Sequence, residues 1–107
     1  MRACEDVVVR RDGGFEGISR YSWMNFEVGG ERVGKARVCV FGDTLVINSL
    51  VIYPGFEGRG YGRRVVERFK GSYRVIIADR VRSEACGFWE RMGFECDGEG
   101  NYVWTGW

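Results

Sequence analysis

Residues 55–64 read "GFEGRGYGRR", four glycines and four charges within ten residues. They follow the apolar run "TLVINSLVIYP" and precede "VVERFK". A strand that feeds a glycine-rich turn opening a helix is a place to hold phosphate. The free N–H groups of the first helical turn point outward, and the helix dipole favours negative charge. Glycine lets the backbone approach a ligand that a Cβ would keep away. Gly58, Gly60 and Gly62 fit that role, and Arg59, Arg63 and Arg64 add positive charge. No GK[ST] follows, so ATP with magnesium is disfavoured, and the spacing is not GxGxxG. The plainer reading is a tight strand-to-helix turn with solvated arginines.

The elements that must position this turn can be read along the chain. "CEDVVVRRD" (4–12) reads as a first strand centred on Val7, Val8 and Val9. "GGFEGISR" (13–20) is broken by glycine and has room for one or two helical turns. "YSWMNFEV" (21–28) and "RVGKARVCVF" (32–41) read as strands around a "GGE" turn. After "GD", "TLVINSLVIY" (44–53) is apolar on both faces: Leu45, Ile47 and Val51 on one, Val46, Leu50 and Ile52 on the other. Such a strand is central and covered on both sides. Asn48 and Ser49 interrupt it.

A helix is expected over about 60–70 and a buried strand at "YRVIIA" (73–78). Ser83 is the expected N-cap of a helix over 84–92, with Ala85, Phe88, Trp89 and Met92 on one face. Gly93 stops that helix. "FEC" and "NYVWTGW" read as two last strands around "DGEG". Short turns join the second, third and fourth strands, which should be antiparallel neighbours. The fold class is therefore α/β (α+β): a mixed, largely antiparallel sheet with helices packed on its faces.

Composition narrows the chemistry. At 107 residues the chain fits one domain, 1–107. It is 45% hydrophobic and 29% charged, ordinary for a soluble protein. A net charge of +1 argues against a chain built as a whole for nucleic acid. There is no apolar run of about 18 residues and no signal-peptide pattern, so the expected setting is the cytoplasm, away from membranes. Histidine is absent, which closes off Ser-His and Cys-His nucleophilic catalysis within this chain. Cys4, Cys39, Cys86 and Cys96 form no CxxC pair, so no metal site is expected. The plainer reading makes them free thiols, mostly buried.

Two motifs together carry a resemblance. "VIYPGFEGRGYGRRVVERF" resembles the acetyl-CoA-binding motif of the GNAT superfamily of N-acetyltransferases: strand, turn, Q/R-x-x-G-x-G/A, helix. "ACGFWERMGFE" is similar to that family's second hallmark, a helix end with the pattern A-x-x-ϕ-Y-x-x-x-G-F. The pair stands in the right order with a strand between, over Thr44 to Cys96.

The resemblance implies acetyl-CoA as co-substrate and direct attack by an amine of a small molecule, peptide or protein. It implies that backbone groups of Leu50, Val51 and Ile52 pair with the pantetheine arm. The amides of Gly58, Arg59, Gly60, Tyr61, Gly62 and Arg63 would cradle the pyrophosphate. Helix 84–92 would line the far side.

Three departures stand out. Glu57 replaces Gln or Arg of the motif. Trp89 replaces the tyrosine that often protonates the leaving thiolate, with Cys86 or a water as substitutes. Only residues 11–20 lie between the first two strands, where the family usually has two helices, so the N-terminal half is shortened. The acceptor side is then expected to be open. Asn48 could hold a water as part of a base; as plainly, it is bonded within a strand irregularity. The alternative functions are a non-catalytic acyl-CoA-binding module and a nucleic-acid-binding domain. The oligomeric state is left between monomer and homodimer.

Overall fold

The computed structural model describes residues 7–11 and 21–106. The elements are β1 (Val8–Arg11), β2 (Ser22–Val28), β3 (Glu31–Phe41), β4 (Thr44–Ile52), α1 (Tyr61–Ser72), β5 (Val75–Ala78), a 3₁₀ turn (Ser83–Ala85), α2 (Cys86–Arg91), β6 (Glu95–Cys96) and β7 (Tyr102–Thr105). They form a seven-stranded sheet in the order β1-β2-β3-β4-β5-β7-β6. Every pair is antiparallel except β4 with β5. A parallel pair needs a crossover, and α1 supplies it. The expected mixed, largely antiparallel sheet is therefore present. Cys4, the segment 13–20 and Trp107 lie outside the described residues, as does most of the interval expected to open the acceptor side.

Tight turns with glycine at positive φ join β2–β3–β4: Gly29, Gly30 and Gly42 take φ of 60°, 84° and 58°. Register then sorts the side chains. Met24, Ala36 and Leu50 stand side by side across β2, β3 and β4, as do Val38 and Ile47 across β3 and β4. The helices cover this face. Val65, Val66 and Phe69 of α1 are buried with Phe26, Leu45 and Ile76, and Phe69 meets Phe26 edge-on with centroids 6.2 Å apart.

The other face carries Trp23, Lys35, Arg37 and Val51. Trp23 and Val51 are 39% and 41% exposed. The expectation that β4 is covered on both sides is thus corrected, and the reason is a bulge. Arg37 pairs with Ser49 while Val38 pairs with Ile47, leaving Asn48 as the extra residue. The bulge shifts the alternation by one. Val51 leaves the face of Leu45 and Ile47, and Leu50 and Ile52 join it.

A second correction concerns the start of the second helix. Ser83 opens a 3₁₀ turn, and α2 begins at Cys86 with no side-chain cap. The Ser83 hydroxyl turns to Glu84 Oε1 at 3.5 Å. The C-terminal end follows expectation: Gly93 has φ 89°, and the Phe94 N–H bonds back to Trp89 O at 3.0 Å. The thiols are less buried than expected. Cys39 is buried, Cys86 half-buried and Cys96 exposed, and all three are free.

Trp89 holds α2 to the sheet. It is 6% exposed, with T-shaped contacts to Phe88 at 5.0 Å and Phe94 at 4.9 Å. Trp89→Ala should cost about 3–5 kcal/mol in urea unfolding, the range for emptying an aromatic core site. A loss under about 1 kcal/mol would show that α2 is anchored elsewhere.

Candidate active site

Pairing between β4 and β5 runs from Thr44↔Val75 to Ile47↔Ala78 and stops. The last bond is Asp79 N–H to Ile47 O at 2.9 Å. Beyond it the strands part. From Ser49 to Ile52, β4 keeps its β3 neighbour and has no strand on its other edge. Half of its N–H and C=O groups there face the gap, as an unpaired edge must. The gap opens into a cleft of about 510 Å³, lined by Asn48, Leu50, Val51 and Ile52 on one wall and by Asp79, Arg80, Ala85, Phe88 and Trp89 on the other. Arg80 takes a left-handed φ of 54°, uncommon for a residue with a side chain.

Ile52, Gly62 and Phe88 also border a second groove with Gly58, Gly60, Tyr61 and Arg63, so the two hollows adjoin. Here the glycine-rich turn meets α1. Gly58 and Gly60 have φ of 80° and 83°, and Gly60 is the N-cap. The first intrahelical bond is Arg64 N–H to Gly60 O at 3.1 Å. The amides of Tyr61, Gly62 and Arg63 precede any intrahelical acceptor. No acidic residue sits in the first turn. Space around Gly58 and Gly60 is open, so their requirement is left-handed backbone, not room. Arg59 lies over the Phe56 ring at 5.5 Å, and its charge faces solvent beside the turn.

The structure thus brings Asn48, Leu50, Val51, Ile52, Gly58, Gly60, Tyr61, Gly62 and Arg63 to two adjoining hollows. Arg59 stands at their rim. Cys86 is placed differently: its thiol meets Arg82 O at 3.5 Å and lies beside Tyr102. The Tyr102 hydroxyl donates to Glu90 Oε2 at 2.9 Å. Cys86 first, then Glu90, hold that hydroxyl well above the usual phenol range. Cys86 belongs to this cluster and not to the cleft wall.

Sequence reasoning missed Asp79 and Arg80 as cleft residues, whereas Phe88 lies on the helix expected to line the far side. Asp79 had a signal, since it is the first polar residue after the apolar run "VIIA". Asn48 Nδ2 donates to Asp79 Oδ2 at 3.1 Å, and Asn48 Oδ1 is buried and unpartnered among the described residues.

The forked parallel pair of β4 and β5 thus leaves an open strand edge that leads to the glycine-rich start of α1. The model of the acetyltransferase (GNAT) domain matches residues 19–96. The chain belongs to the GNAT acetyltransferase family. A Bacillus pumilus protein described as an uncharacterized N-acetyltransferase is 40% identical over 53 residues, 50% of this chain and 33% of that one. One from Bacillus velezensis is 33% identical over 70 residues, 58% of this chain and 43% of that one. The chain thus matches less than half the length of these relatives. The Bacillus subtilis N-acetyltransferase YlbP, solved in complex with coenzyme A, superposes with a TM-score of 0.63 at 25% identity, over 78% of this chain and 66% of that chain. YhhK of E. coli, solved bound to coenzyme A, gives 0.76 over 94% of this chain and 99% of that chain. At 14% identity that second likeness speaks to the fold alone.

Proposed function

We propose that residues 1–107 act as one acetyltransferase domain that moves an acetyl group from acetyl-CoA to a primary amine by direct attack. The observation that carries this reading is the open β4 edge running from the start of α1 back to the fork at Asn48 and Asp79. The amides at 58–63 bind the pyrophosphate, with Arg59 and Arg63 as counter-charges. The pantetheine arm adds to β4 as a strand would, bonding to the backbone of Leu50, Val51 and Ile52. From Ile52 to Asn48 is four residues, about 13 Å of strand. The arm therefore delivers its thioester to the fork. The rest is positioning: bringing the amine against a fixed carbonyl makes the step effectively unimolecular.

The coenzyme A bound in the YlbP structure supports this reading. The test is release of free thiol from acetyl-CoA with a panel of primary amines and N-terminal peptides. Amine-dependent release supports transfer. The second reading, a non-catalytic acyl-CoA-binding module, is favoured by Trp89, whose buried indole replaces the family's acidic tyrosine. Tight binding with no release from any amine would establish it.

Glu57 gives a further prediction. Its exposed carboxylate borders the groove with Gly58 and Gly60 and would face pyrophosphate across water. A surface repulsion of that kind is worth about 1 kcal/mol at most. Glu57→Gln should tighten acetyl-CoA about three- to five-fold at low salt, with the gain fading in about 0.5 M salt. Unchanged affinity at low salt would show that the side chain turns away.

A further inference from the structure

The fork holds a polar pair that phosphate and pantetheine binding leave unused. Asn48 on β4 and Asp79 just after β5 are the first residues past the end of the β4/β5 pairing. They bond to each other through Asn48 Nδ2 and Asp79 Oδ2, 3.1 Å apart. Two acceptors are then left over. Asn48 Oδ1 is buried and unpartnered among the described residues, and nothing there bonds the second carboxylate oxygen of Asp79. A buried acceptor without a donor is costly, and native structures keep few of them. Both residues line the cleft where the thioester would arrive. A primary amine entering the cleft brings N–H donors for the free carboxylate oxygen of Asp79.

We infer that Asp79 is the group that receives the amine proton during transfer, and that Asn48 is the positioning residue that aims it. The inference rests on the acyl-transfer reading. The acceptor docks as an ammonium on the carboxylate and gives one proton to water. The lone pair of the neutral amine then forms the C–N bond at the thioester carbonyl carbon. The C–S bond breaks with its electron pair on sulfur. The proton shed by nitrogen goes to Asp79 and from there to solvent. The sulfur leaves as thiolate and takes its proton from water. A thiol of ordinary acidity, near pKa ~8.5, leaves without an acid catalyst. Trp89 therefore needs no phenolic substitute. Asn48 acts through Asp79: its amide N–H fixes one carboxylate oxygen so that the other faces the cleft.

The test compares the native chain with Asp79→Asn, Asp79→Glu, Asp79→Ala and the distant control Glu95→Gln, using acetyl-CoA and n-butylamine. Asp79→Asn is expected to lower kcat by about 10²-fold or more, the scale of one lost proton acceptor, with KM for acetyl-CoA within two-fold of native. Asp79→Glu should recover part of the rate. Added formate should restore part of it to Asp79→Ala, which a merely structural role would not allow. Asn48→Ala should lose about ten-fold in kcat, again with KM for acetyl-CoA held. A kcat for Asp79→Asn within three-fold of native overturns the inference, as does failure of formate to rescue. A second arm needs no turnover. Butylammonium is titrated into the CoA-loaded native protein, with saturable binding expected and at least ten-fold weakening in Asp79→Asn. Absence of binding to the native complex overturns the inference. Calorimetry with acetyl-CoA alone decides the acyl-CoA reading separately.

Discussion

Gly60→Asp is expected to abolish acetyl-CoA binding, weakening it by at least about 100-fold, while the protein stays folded. Two effects add. Gly60 holds φ at 83°, where any side chain with a Cβ is strained by about 1–2 kcal/mol. The new carboxylate would also sit at the N-cap of α1, beside the amides of Tyr61, Gly62 and Arg63. An aspartate there accepts the N–H groups that the pyrophosphate needs and repels its charge. Gly60→Ala separates the two effects, because alanine brings the strain of a Cβ at this φ without a charge. It should lose about ten-fold. Gly71→Ala is the control: its Cβ meets open space late in the same helix, so it should raise stability slightly and leave affinity alone. Equal affinity in native and Gly60→Asp proteins would remove the phosphate role from the turn.

Gly34→Ala is expected to cause the largest stability loss of any single methyl group in the sheet. Gly34 lies in β3 opposite Ile52 of β4. A Cβ there would fall on the Val51 carbonyl oxygen, far inside van der Waals contact, and 3.1 Å from Ile52 Cα. Both obstacles are backbone, so no rotamer change relieves them. Overpacking of this kind costs about 1–3 kcal/mol, or roughly 4–15 °C in Tm for a domain of about this size. The displaced strand is the one proposed to pair with pantetheine. The same variant should therefore weaken acetyl-CoA beyond what its fraction unfolded explains. Thermal melts and calorimetry on one sample read both effects. A Tm within 2 °C of native would mean that β3 and β4 slide apart at little cost.

Much of this was legible in the residues, for stated reasons. Glycines at 29–30 and 42 marked the antiparallel β2–β3–β4 run, and the strand–turn–helix signature placed α1. Phe88, Trp89 and Met92 fell at helical spacing, with Gly93 as the stop. The bulge was not legible in its effect. Asn48 was visible as an interruption, but period-two reasoning carries alternation through it, and one extra residue turns Val51 from core to surface. The uncapped start of α2 was misread because a serine ahead of a helix is usually a cap, and here a 3₁₀ turn intervenes. The meeting of Asn48 with Asp79 could not be read at all. It spans 31 positions and depends on where two parallel strands stop pairing.

The central claim is that the open β4 edge and the start of α1 together bind acetyl-CoA. Amide hydrogen exchange followed by NMR, with and without acetyl-CoA, tests it most directly. The account predicts saturable binding, with new protection on β4 within Leu50–Ile52 and large shifts for the amides of 58–63. Saturable binding that leaves both stretches unchanged, or no binding at all, would contradict it.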